Sequence, residues 1–245
     1  PSYKTSENLG TSIKFPYFKV LGSDKDITFS PRYFADKSFL LQNEYRQILK
    51  QSKVLSDFGF LVGEAGTKGH LFYNLVGRYN DVTSYELNLQ SVKGDNYLKN
   101  HDLKDNSLLI DNENLLISDF NINWNFEDSQ LNSSFKVFED LSRNYHDRYQ
   151  YIFPEYSFKK NIEIPENYNG KFNFDTYGYN KNYNTNINES VLVNNFHFKS
   201  NDIISSSGLV TNYDLLIKNA NSYSEKSGIF KKNENYELFE TFILE

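Results

Sequence analysis

The chain has no cysteine, no methionine, only five prolines among its 245 residues, and no long apolar run. Without cysteine there is no disulfide framework and no thiolate metal site, and the compartment stays open on that ground. Without methionine, and with Pro1 no natural start, the chain is expected to be a segment of a longer protein, whose missing front would carry any signal peptide. No apolar stretch approaches the ~20 residues of a membrane-spanning helix. That excludes a helical membrane protein but not a β-barrel, whose strands cross with ~9–11 alternating residues. The net charge is −6 and there is no basic run, which argues against nucleic acid as a partner.

What the chain does have is aromatic residues: 21 Phe, 19 Tyr and one Trp, 17% of the total. Mean hydropathy is nevertheless low, −0.65, because these rings are diluted by Asn, Ser, Lys and Asp. An A/T-rich genome over-uses many of the same residues and accounts for such totals, but not for their order. In "FNINWNF", Phe120, Ile122, Trp124 and Phe126 fall on one face and Asn121, Asn123 and Asn125 on the other. That is the period of a strand, not of a helix. Similar sets are Ile13, Phe15 and Tyr17; Val54, Phe58, Phe60 and Val62; and Tyr85, Leu87 and Leu89.

Such runs predict roughly thirteen strands, near 13–21, 26–34, 38–49, 53–63, 69–79, 83–93, 114–126, 129–139, 147–159, 169–180, 184–199, 205–219 and 234–245. The expected fold is all-β, an antiparallel up-and-down meander forming part of a large barrel, with residues 1–245 a segment of one transmembrane domain. The two longest connections, 94–113 and 220–233, are expected on the same rim, with mostly tight turns on the other, as in outer-membrane barrels. In a barrel, Phe120, Ile122, Trp124 and Phe126 would face lipid, and Asn121, Asn123 and Asn125 the lumen. A soluble β-sandwich is the alternative, but runs of eleven or more residues exceed the ~5–6 typical of soluble strands.

No catalytic constellation is visible, so no enzymatic activity and no cofactor are expected. His70, His101, His146 and His197 are far apart and lack metal-ligand spacing, so no metal site is expected. The acidic segment "DLKDNSLLIDNE" (102–113) lacks the spacing and central Gly of a calcium loop and reads as a solvated loop. Loose divalent-ion binding there stays open. In "NEYRQ", Glu44 and Arg46 share a face and read as a polar lumen-facing pair. In "DRYQYIFPEYSF" the aromatic phase switches at Pro154, which predicts a β-bulge.

Two prolines, Pro16 and Pro31, sit inside the first two predicted strands. Proline has no N–H for a sheet ladder and is normally kept to edges, strand starts and bulges. Protection of an edge against aggregation would account for both.

The stretch "FPYFKVLGSDKDITFSPRYFADKSFLLQNEYRQ" resembles the start of the barrel of the LptD family of lipopolysaccharide-assembly proteins, also called the organic solvent tolerance family. That family has a Pro-Tyr-aromatic strand, a short turn with an Asp, a T-x-x-P-x-Y strand and then a strand with E-(F/Y)-R. Here these are Pro16-Tyr17-Phe18, Asp26, Thr28 to Tyr33 around Pro31, and Glu44-Tyr45-Arg46. "SVKGDNYL" (91–98) is similar to the family's S-x-V-S-D-x-x-Y, with Gly94 in place of the usual Ser. The first forty residues carry most of the likeness; the family's periplasmic N-terminal domain and later strands have no counterpart here. The resemblance implies a cell outer-membrane protein that inserts lipopolysaccharide into the outer leaflet through a lateral gate. Its implied partners are an LptE-like plug lipoprotein and a periplasmic LptA-like bridge, and Pro16 and Pro31 would be the gate residues. Another outer-membrane barrel, such as a porin or receptor, and a secreted β-rich adhesion or carbohydrate-binding protein are the alternatives.

Overall fold

The computed structural model describes residues 1–6, 10–64, 66–165, 168–184, 186–230 and 233–244. Among them no helix is long and apolar enough to cross a membrane. The first strands are β1 (Ser2–Ser6), β2 (Gly10–Lys14), β3 (Tyr17–Val20), β4 (Lys25–Phe34), β5 (Phe39–Ile48), β6 (Ser52–Gly63), β7 (Gly66–Arg78) and β8 (Thr83–Lys93). A four-residue helix, α1 (Tyr97–Asn100), follows. Then come β9 (Leu115–Asn125), β10 (Ser129–Asp140), β11 (Tyr149–Ile162), β12 (Gly170–Tyr183), β13 (Ile187–Ser200), β14 (Ile203–Ile204), β15 (Val210–Thr211), β16 (Tyr213–Glu225) and β17 (Glu234–Leu244).

The fold is an all-β antiparallel meander. One sheet runs β1-β2-β4-β5-β6-β7-β8-β9-β10-β11-β12-β13-β16-β17, β3 pairs with β4, and β14 and β15 form a hairpin of their own. The expected bulge is present: the β11–β12 register shifts between Ile152 and Glu155, around Pro154.

The structure corrects three expectations. A short strand, β1, precedes the first predicted one. The predicted strand 205–219 lies instead at Tyr213–Glu225, because "SSSG" (205–208) turns the chain back on itself, with Gly208 at φ +82°. Long connections therefore leave both ends of β16, at 201–212 and 226–233, so the expected separation of long loops from tight turns fails there.

The chain forms two compact units, Pro1–Phe120 with Lys136–Tyr149, and Asn121–Phe135 with Gln150–Glu245. In the first, register divides β4–β8 into two faces. One carries Ile27, Phe29, Tyr33, Leu41, Tyr45, Phe58, Phe60, Val62, Leu71, Leu75, Leu87 and Leu89. Apart from Lys25 and Lys93 at strand ends, this face of β4–β8 has no charged side chain, yet several of its large apolar groups are exposed, Phe60 by 42% and Val62 by 49%, most others are half-buried, and Val54 is buried. The other face holds Asp26, Arg32, Glu44, Arg46, Asp57, Lys68, His70 and Glu86, and it is the covered one. The connection 94–114 folds over it, burying Tyr97, Leu98, Leu103 and Ile110 against Phe34, Leu40, Leu61 and Phe72. The acidic segment is thus no freely solvated loop: Asp105 and Asp111 stay in water while Leu103 and Ile110 are almost fully buried.

The second unit has no such cover. Val193 is the one buried hydrophobic residue among its described residues. Its strands β12, β13, β16 and β17 pair in unbroken register. Near one rim they carry a row of rings, Phe172, Phe198, Tyr213 and Phe242.

Candidate functional site

The two prolines occupy one strand pair. Lys14 faces Arg32 and Tyr17 faces Phe29, a constant offset that sets Phe15 against Pro31 and Pro16 against Ser30. Phe15 N donates to Pro31 O at 3.0 Å. Antiparallel residues paired this way normally exchange two bonds, and the return donor would be the N–H that Pro31 lacks. Pro31 therefore deletes one rung between the first two long strands. Pro16 belongs to the alternate kind of pair, so its nitrogen points away from β4, to the outer edge. On that edge β1 pairs only as far as Ser2↔Lys14. Residues 15–20 are thus held from the β4 side alone among the described residues, and Phe15, Tyr17 and Val20 are all exposed.

Glu44 and Arg46 project from β5 onto the covered face. Arg46 Nε lies 2.8 Å from Asp26 Oδ1 and 3.6 Å from Glu44 Oε1, so the guanidinium sits between two carboxylates. Its charge is also stacked on the Phe18 ring, 5.8 Å from the centroid.

Sequence reasoning missed the polar centre under the connection 94–114. His70 Nε2 donates to Asp57 Oδ1 at 2.9 Å, Gln42 Nε2 donates to Asp57 Oδ2 at 2.9 Å, and the Tyr97 hydroxyl lies 3.1 Å from His70 Nδ1. With Nε2 carrying the proton, Nδ1 accepts from the phenol, and every member has a partner. Gly59 makes room: a Cβ there would stand 2.7 Å from His70 Cε1 and 2.8 Å from Leu41 O. Arg32 Nη1 donates to His101 O at 2.8 Å, tying down the end of α1. Burial pushes the Tyr97 phenol up and holds the His101 imidazole below its usual value. The available signal was Tyr97, Leu98, Leu103 and Ile110 spaced through the connection 94–114.

Beside this centre is a cavity of about 470 Å³, lined by Asn74, Glu86, Asn88, Gln90, Asp111 and Asp119 among others. Asn88 Nδ2 donates to Glu86 Oε1 and Asp119 Oδ1, at 3.2 and 3.0 Å. Among the described residues no three His, Asp or Glu side chains are placed to hold a metal ion. His70 and His101 both lie against the Tyr97 ring, with centroids 5.6 and 5.3 Å away, whereas His197 Nε2 is 2.6 Å from Asp214 Oδ1 in the other unit.

Along β9, Asn121, Asn123 and Asn125 keep the parity of Asp119, which bonds the covered face through Asn88. Phe120, Ile122 and Trp124 take the opposite parity and are half-buried, while Phe126 lies just past the strand, 54% exposed.

No family model matches the chain. The LPS-assembly protein LptD of Idiomarina loihiensis is 24% identical over 103 residues, which is 40% of this chain and 14% of that protein. The chain thus matches only a small part of that relative's length. A solved structure, a bacterial polysaccharide outer membrane secretin, aligns with 95% of this chain and 77% of its own at 8% identity, with a TM-score of 0.38.

Proposed function

We propose that this chain is part of the wall of an outer-membrane β-barrel that delivers lipopolysaccharide to the outer leaflet, with Pro16 and Pro31 in its lateral gate. One observation carries the membrane reading: across β4–β8 the charged side chains lie on the covered face, save Lys25 and Lys93 at strand ends, and the other face is mostly hydrocarbon and aromatic ring. A soluble protein rarely exposes an apolar patch beyond a few hundred Å². A barrel wall needs this arrangement, apolar toward lipid and polar toward the lumen. The sequence similarity to LptD supports lipopolysaccharide as the cargo, and the plug lipoprotein and periplasmic bridge as partners. The protein acts as a conduit, not an enzyme.

The gate follows from the missing rung. An unsatisfied backbone group costs several kcal/mol in lipid, so such a defect is tolerated where the strand faces a gap or a cavity. Pro31→Thr restores the donor that faces Phe15 on the partner strand, and Pro16→Thr gives the open outer edge a donor for whatever strand pairs there. Each bond formed is worth about 0.5–1.5 kcal/mol, so the barrel should withstand more heat while export slows. Surface lipopolysaccharide and lipopolysaccharide crosslinked inside the barrel are the quantities to measure. Normal export at normal barrel abundance would refute the gate, and recovery of the full-length protein in a soluble fraction would refute the barrel and favour a secreted adhesin.

A further inference from the structure

The hairpin β14–β15 leaves the sheet between β13 and β16 and joins no other strand. From Ile203 to Asn212 it has no charged residue. Its register sets Ile203 against Thr211 and Ile204 against Val210, so aliphatic groups stand on both faces of the ribbon. Ile204 is 71% exposed and Leu209 63%. Such side chains are unfavourable in water.

Its neck is polar and fixed. Asn201 N donates to Asn169 O and Asn201 Nδ2 to Asn169 Oδ1, both near 2.9 Å. Tyr213 N donates to Ser200 Oγ at 2.9 Å. Below that neck lies the rim row of rings, where Tyr213 stacks on Phe198 at 5.6 Å. Aromatic rings gather at the water boundary of a membrane barrel, where an apolar body and a polar tip are both accommodated.

We propose that β14–β15 is an interfacial anchor that lies in the boundary between lipid headgroups and acyl chains beside this aromatic row. The inference rests on the membrane reading above. Lipid is favoured over a protein partner because a docking site needs one apolar face, whereas this ribbon is apolar on both and uncharged throughout. Continuity with the ring row places it at the right depth, and the serine turn (205–207) gives the tip its hydrogen-bonding groups.

Residues 1–245 contain no cysteine, so an introduced one is a single label site once any cysteine elsewhere in the full-length protein is replaced by Ser. Ile203→Cys, Ile204→Cys and Leu209→Cys, each carrying an environment-sensitive fluorophore, are placed in the full-length protein in phospholipid vesicles, beside Phe60→Cys on the apolar face of β6. Quenchers are fixed at the headgroup and deep in the acyl chain. The expected result is strong quenching of all three hairpin labels by the shallow quencher and of the Phe60 label by the deep one. Quenching at Phe60 with water-exposed hairpin labels would overturn the anchor and leave the barrel. Shielding of only one hairpin face would overturn it in favour of a protein partner. A water-exposed Phe60 label would refute the membrane reading itself, and the anchor with it.

Discussion

The first unit keeps a buried core on one side of its sheet, and the second keeps almost none. Ten buried apolar residues, from Phe34 to Leu141, cluster under the connection 94–114 in the first. In the second, Val193 stands alone among the described residues, and the strands rely on their ladders, cross-strand rings and polar pairs such as Asn182–Asn188. Sheets with one wet and one greasy face need something to cover the greasy one in water. The first unit shows the reverse: protein covers the charged face, and the apolar one is left open. What this teaches is that internal packing stabilises the first unit far more than the second, and that under the proposed membrane reading the open face would meet lipid where water would leave it uncovered.

The largest effect should come from emptying the covered core. Leu98→Ala removes a fully buried side chain and should cost about 2–5 kcal/mol. Val193→Ala, at roughly 0.8 kcal/mol per lost CH₂, should cost less, about 1.6 kcal/mol. Thermal unfolding in detergent, followed by gel mobility, compares the two, and equal shifts would erase the contrast between the units. Next comes the contrast between faces. Arg in place of Phe60 should cost about 2–4 kcal/mol in a bilayer, whereas Thr28→Arg, opposite Glu44 on the covered face, should be nearly neutral. Membrane-inserted protein reads this out, and equal tolerance would contradict the assignment of faces. The smallest effect belongs to the polar centre. Tyr97→Phe takes the donor from His70 Nδ1 and should cost about 1–3 kcal/mol. Proteolysis of the connection 94–114 should then rise, without effect on the second unit.

Much of this fold was legible in alternation alone. Phe58, Phe60 and Val62 share a face as expected, since each strand's partner is its neighbour in sequence and period two survives along β6. Boundaries failed where local rules compete. Ser205 to Gly208 form a turn that delays the strand predicted from 205 until Tyr213, and β1 carries too few apolar residues to register. The proline pair was legible as an anomaly, but which rung it removes was not, because that depends on register. The polar centre was hidden because His70 and Asp57 read as ordinary polar positions of alternating strands. Only tertiary folding of the connection 94–114 makes them a buried pair.

The break at Phe15-Pro16 also sets a length. Residues 15–20 are fastened along one side, whereas residues 10–14 are fastened along both. Peeling would start at Val20, pass the rung already absent at Pro31, and stall at Lys14, where β1 doubles the attachment. Six residues at about 3.3 Å each make a tab about 20 Å long. One leaflet's share of the hydrocarbon core is only about 15 Å deep. If the proposed gate opens here, a flap of that reach, stopped by its own reinforced hinge, would make a slot deep enough for acyl tails while leaving the neighbouring strands zipped.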